Sequence, residues 1–116
     1  MYVDGFVLAV PTANKEAFRR HAAQGAPVFK ACGALSIVEC WSDEVPEGKI
    51  NSIHGAVLRK GDETVVVSCI AWPGKATRDA GIAKVMADPR LSPECNPMPF
   101  DGKRMIFGDF KAIVNV

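Results

Sequence analysis

The stretch Glu63-Thr64-Val65-Val66-Val67-Ser68-Cys69-Ile70-Ala71-Trp72 decides the fold of this chain. Its β-branched run suits a pleated backbone, and apolar side chains fall on both of its alternating sets. A strand with water on one face would alternate apolar with polar residues, so this one predicts a centre buried from two sides. Tyr2 to Val10 reads the same way, with Tyr2, Phe6, Leu8 and Val10 on one set and Val3, Val7 and Ala9 on the other.

Outward from this pair, turn residues and prolines divide the chain. Lys60-Gly61-Asp62 is a turn into the strand, and Ile50 to Leu58 is expected to be a weaker strand returning through it. Pro73-Gly74 opens a helix to Ala87 with Ile82, Val85 and Met86 inward, and Asp88-Pro89 ends it. Pro11 closes the first strand. Thr12 or Asn14 then caps a helix whose Phe18, Ala22, Gly25, Phe29 and Cys32 form one apolar stripe, stopped by Gly33. Pro27 lies inside that helix and predicts a kink or break near Gly25. Ala34 to Asp43 predicts a strand with Leu35, Ile37, Glu39, Trp41 and Asp43 on one face. Pro89, Pro93, Pro97 and Pro99 leave little room for regular structure before Gly102, and a last strand is expected from Arg104 to Val114.

This order amounts to two split βαβ units. It predicts an α+β fold, a single ferredoxin-like domain over residues 1–116, with an antiparallel sheet carrying its helices on one face. The other face of the two apolar strands then needs a cover, and an identical sheet related by two-fold symmetry supplies one, so a homodimer is expected.

Composition narrows the partners. Fourteen basic and thirteen acidic side chains give a formal charge of +1, too weak a field to draw in nucleic acid or an anionic membrane. Between Lys75 and Arg104 six basic residues (Lys75, Arg78, Lys84, Arg90, Lys103, Arg104) stand against Asp79, Asp88, Glu94 and Asp101, without a basic aromatic platform, so RNA is the least favoured partner. Cys32, Cys40, Cys69 and Cys95 form no CxxC pair, no export signal precedes them, and no apolar run reaches a membrane span, which together predict reduced thiols in the cytoplasm.

Read together, Tyr2-Val3-Asp4-Gly5-Phe6, Gly33-Ala34, Glu39-Cys40-Trp41, Asp43, Val45-Pro46, Arg78-Asp79-Ala80, Met86-Ala87-Asp88-Pro89-Arg90 and Met98-Pro99-Phe100-Asp101-Gly102-Lys103-Arg104-Met105 resemble the YbaA-like family of uncharacterised bacterial proteins. The likeness covers nearly the whole chain and is most specific from Pro99 to Met105. It implies a dimeric α/β barrel of the ferredoxin-like type and implies no activity, the family being a domain of unknown function. The chain departs from the pattern at Asp109, where a second glycine is expected after Gly108.

The residues that could carry chemistry are few. No phosphate-cradling glycine loop occurs, and His21 and His54 lack metal-ligand spacing, so neither cofactor nor metal is expected. Glu39 and Asp43 share a strand face with Trp41, and a carboxylate there needs a cation or a pocket; Arg78, Arg90 and Arg104 are the available forks. One reading is a buried ion-pair network that fixes the dimer. The other is a pocket between sheet and helices, lined by Trp41, Trp72 and His54, with Glu39 as acid or base and Arg78 or Arg104 holding an anionic group. Asp101-Gly102-Lys103-Arg104 reads either as an anion-binding turn or as a solvated turn into the last strand. Cys40 and Cys69 read as small apolar residues. The functions expected are therefore binding of a small anionic or polar molecule or, as the alternative, a regulatory or protein-interaction module without catalysis.

Overall fold

A computed structural model describes residues 1–116. Strand β1 (Tyr2–Pro11) leads through a 3-10 turn at Thr12–Asn14 into helix α1 (Lys15–Ala31), followed by β2 (Ser36–Trp41), a one-turn helix α2 (Ile53–Ala56), β3 (Glu63–Trp72), α3 (Lys75–Ala87) and β4 (Ile106–Lys111). The fold is α+β. The four strands form one open antiparallel sheet in the order β2-β3-β1-β4. The two strands that are apolar on both sides are its centre, paired from Tyr2 opposite Trp72 to Pro11 opposite Glu63.

One face of the sheet carries α1 and α3. There Leu8, Val10 and Val66 pack against Phe18 of α1, while Ile70 and Trp72 pack with Ala34, with Phe29 of α1 and with Ile82 of α3. Gly81 sets how closely α3 approaches. A Cβ at that position would lie 2.5 Å from the Trp72 ring and 2.7 Å from the Cys32 carbonyl oxygen, so only a glycine lets the helix seat on the end of β3. Gly33, at φ +112°, takes the left-handed conformation that turns the chain out of α1.

The opposite face is mostly open. At one end Val57, just after α2, is fully buried against Ala9 and Val65. Beyond it Val38, Val67, Ile106 and Phe110 are 48%, 38%, 44% and 59% exposed. A shallow apolar groove of about 290 Å³ runs between β3, β1 and β4, where the Phe110 ring leans over Gly5 and Gly108.

Four expectations need correction. Of the kink or break expected near Gly25, the break is absent: helix α1 continues through Pro27, which lies on its exposed side, where water can take the carbonyl that proline leaves without a donor. Ile50 to Leu58 is no strand: β3 is already flanked by β1 and β2, so no pairing position remains beside it, and Ile53–Ala56 within the segment fold as α2, with Ile50 93% exposed. Met86 faces solvent, and α3 buries Gly81 and Val85. The last strand is shorter than expected, because Gly102–Arg104 form a 3-10 turn capped by Asp101 and β4 ends at Lys111.

Candidate functional site

Where β2 leaves the sheet and β3 enters it, a cleft of about 300 Å³ opens, lined by Trp41, Asp43, His54, Arg59, Glu63 and Thr64 among others. Trp41 ends β2 and leans on the Leu8, Val10 and Val66 cluster, with the Lys15 ammonium 5.5 Å from its ring centroid. His54 is supplied by α2, whose first turn forms because the Ser52 hydroxyl accepts the Gly55 N–H at 2.8 Å. Its Nδ1 lies 2.9 Å from Glu47 Oε1, and this hydrogen bond draws the Glu47 carboxyl below its usual pKa.

Arg59 completes the rim. Its backbone N–H donates to the His54 carbonyl at 3.0 Å, and the side chain is half-buried. Of the three half-buried arginines, Arg78 and Arg104 are held in ion pairs, whereas Arg59 has no carboxylate within ion-pair distance. Leu58 precedes it at φ +51°, the one non-glycine residue in the left-handed region.

Glu63 closes the cleft from behind. Arg104 grips it with both prongs, Nη1 to Oε1 at 2.7 Å and Nη2 to Oε2 at 2.5 Å. The Lys60 backbone N–H adds a third bond to Oε1 at 2.7 Å. Both side chains are largely buried, and the guanidinium holds the Glu63 carboxyl down at about 2. Arg104 is also tied elsewhere, since Nε donates to Asp101 Oδ2 at 3.0 Å and Nη1 also to the Leu58 carbonyl at 2.9 Å.

A second charged cluster occupies the far end of the same strands. Asp4, 3% exposed, accepts Arg78 Nη2 at 2.8 Å and Arg78 Nε at 3.1 Å on Oδ1, and Trp72 Nε1–H at 2.9 Å on Oδ2. Asp79 and Asp109 add further negative charge around Arg78, whose own pKa is pushed up, mainly by its hydrogen bonds to Asp4. Tyr2 Oη donates to Asp109 at 2.5 Å, which raises the phenol and lowers the carboxyl.

These positions split the expected pocket. Glu63 and Trp72 are the two ends of β3, roughly 30 Å apart at a strand's rise per residue. The cleft brings together Trp41 and His54, with Arg104 and Asp101 supporting it from behind, while Trp72 and Arg78 belong to the other end. Arg78, Arg90 and Arg104 pair with Asp4, Asp88 and Glu63, and none of them reaches Glu39. Glu39 lies on edge strand β2, exposed as a residue but with its carboxyl partly desolvated against the sheet, which raises its pKa against the opposing pull of a Ser68 hydrogen bond. The Leu8 and Trp72 clusters pack between the helices and the sheet, and the cleft lies at the end of the sheet.

Asp4, Glu47, Arg59 and Glu63 were not among the expected site residues. Asp4 carried a readable signal, a carboxylate within an otherwise apolar alternating set between Tyr2 and Phe6. Arg59 and Glu63 carried none, because the turn that brings them together is not periodic.

Fold and cleft define a class of small α+β proteins with an open four-stranded antiparallel sheet and a polar cleft at one end. Within it the chain belongs to the family described as "Protein of unknown function (DUF1428)", whose model matches residues 1–102. It is 52% identical over 114 residues to "Uncharacterized protein YbaA" of Escherichia coli strain K12, covering 98% of this chain and 97% of that one. The same identity and coverage hold for the protein of that name from Shigella flexneri. The likeness read from the motifs is thereby borne out. No helix is long and apolar enough to cross a membrane.

Proposed function

We propose that the protein is a homodimer of ferredoxin-like subunits, each binding a small molecule with an oxyanion group in the cleft between Trp41, His54 and Arg59. The observation that carries the binding role is the state of Arg59. Arg59 is a half-buried residue lining the cleft with no carboxylate within ion-pair distance, so its fork is free to take an oxyanion. Trp41 offers a flat apolar wall beside it, and His54, oriented by Glu47, brings a polar ring to the same cleft.

The strand order β2-β3-β1-β4, with one helix after β1 and another after β3, supports the ferredoxin-like reading. The dimer is supported by the open sheet face. Val3, Val7, Val38, Val67, Ile106 and Phe110 lie on it with no charged side chain among them, and a two-fold partner would cover it with the same uncharged surface. Four free cysteines fit a reducing compartment such as the cytoplasm.

A thermal-unfolding screen of small carboxylates and phosphates on the wild-type chain and on Arg59→Gln tests the binding role. An anion at a hundredfold excess over its Kd adds about 2.7 kcal/mol to the folded state. At least one anion should raise the wild-type melting temperature and leave Arg59→Gln unmoved. Equal shifts in both proteins, or none in either, would refute the reading.

A further inference from the structure

We infer that Arg104 is a positioning residue that holds Leu58 in the left-handed backbone conformation and thereby presets Arg59 for an oxyanion; the inference rests on the cleft being an anion site. Leu58 stands at φ +51° as the residue that ends α2, its own N–H donating to the Gly55 carbonyl at 3.2 Å, and at 71% exposure the leucine gains nothing from burial to offset that conformation. The compensation comes from its neighbours. Val57, one residue earlier, is fully buried against Ala9 and Val65 and cannot move outward. The Leu58 carbonyl is held by Arg104 Nη1 at 2.9 Å, and that guanidinium is itself fixed by both oxygens of Glu63 and by Asp101. One residue later, the Arg59 N–H is held by the His54 carbonyl.

The backbone on either side of Arg59 is thus fixed while its guanidinium is left without a carboxylate, an arrangement that lowers the ordering cost of binding. A left-handed residue is ordinary at a helix C-terminus, and here that cap is tied in addition to Arg104, which fixes the segment carrying Arg59. The shared chemistry of the ligands it suits is an oxygen pair on one centre, as in a carboxylate or a phosphate.

The test uses the full chain and two readouts. The first is hydrogen exchange of the Arg59 backbone amide with no anion present. The second is the shift of the Arg59 Nε–Hε resonance on titration with inorganic phosphate and, separately, with acetate. Arg104→Lys keeps the charge and loses the fork; Leu58→Val leaves Arg104 and Glu63 intact but penalises the left-handed backbone. Each should speed Arg59 exchange and weaken anion binding by about tenfold. Leu58→Gly, which adopts that backbone freely, should restore binding in the Arg104→Lys background to within about threefold of wild type. Rescue by glycine separates backbone positioning from a general loss of stability. Should Arg59 exchange be unchanged in both single variants, or should glycine fail to rescue, the inference is overturned. Should the exchange results hold while neither anion moves the Arg59 resonance in the wild type, the clamp stands and the anion-binding role of the cleft falls. The relative response to phosphate and acetate decides which oxyanion the site prefers.

Discussion

Glu63 and Arg104, 41 residues apart in the chain, meet as a two-pronged ion pair with side chains only 5% and 14% exposed, and this pair ties the turn before β3 to the segment before β4. The Glu63 carboxyl is held at about 2 in the fold against 4.5 without it. A depressed carboxylate stabilises the fold fully above its unfolded pKa, and that stabilisation is lost as pH falls from about 4.5 toward 2. Chemical denaturation from pH 7 to pH 2 should therefore show a loss over that window. Glu63→Gln should remove that part of the pH dependence and lower stability at pH 7 by about 2 kcal/mol, since the amide offers the buried Arg104 fork one acceptor oxygen and no charge where the carboxylate offered two.

The far end of the sheet makes a separate prediction. Asp4 is the buried acceptor for both Arg78 and Trp72, and Asp4→Ala leaves the indole N–H without its acceptor and Arg78 with only the outer carboxylates of Asp79 and Asp109. The substitution should cost about 3–5 kcal/mol in urea unfolding. It should also change the environment of Trp72, which tryptophan fluorescence reads directly.

Tyr2 is the sole tyrosine in the chain, so its titration can be followed by ultraviolet absorbance without overlap from another phenol. The hydrogen bond to Asp109 raises it above 10.0. The neutral phenol's bond therefore contributes below the unfolded pKa and is lost as pH rises through the raised folded value. Asp109→Asn should bring the titration midpoint down toward 10.0. An unchanged midpoint would remove the Tyr2–Asp109 bond from the account.

Gly81→Ala tests the seating of α3. The added methyl meets the Trp72 ring and a backbone carbonyl at distances that demand a shift of the helix, so a loss of about 1–3 kcal/mol is expected in thermal unfolding.

The sequence disclosed what repeats. Val65, Val66 and Val67 and the doubled apolar sets of Tyr2 to Val10 specify central strands by period alone, and Gly33 marks a helix end because its residue type is tied to one backbone conformation. It misled where local pattern competes with topology. Ile50 to Leu58 looks like a strand in isolation, and only the prior pairing of β3 with both neighbours excludes it. Pairings across long separations were not legible either. Nothing in the segments containing Glu63 and Arg104 says that they meet, and the sequence by itself offers Arg104 as a partner for Glu39, a carboxylate it does not touch. Trp41 and His54 were legible as a type of residue that lines pockets, but Arg59 was not, because its importance lies in having no partner.

The central architectural claim is that the helices shield one sheet face and a second copy shields the other. Sedimentation velocity of the purified chain at micromolar concentration tests it most directly, alongside Val67→Lys, which plants a charge in the middle of the open face. The account predicts a wild-type species of twice the 12.5 kDa subunit mass and a folded Val67→Lys monomer. A wild-type chain that sediments as a 12.5 kDa monomer would contradict it.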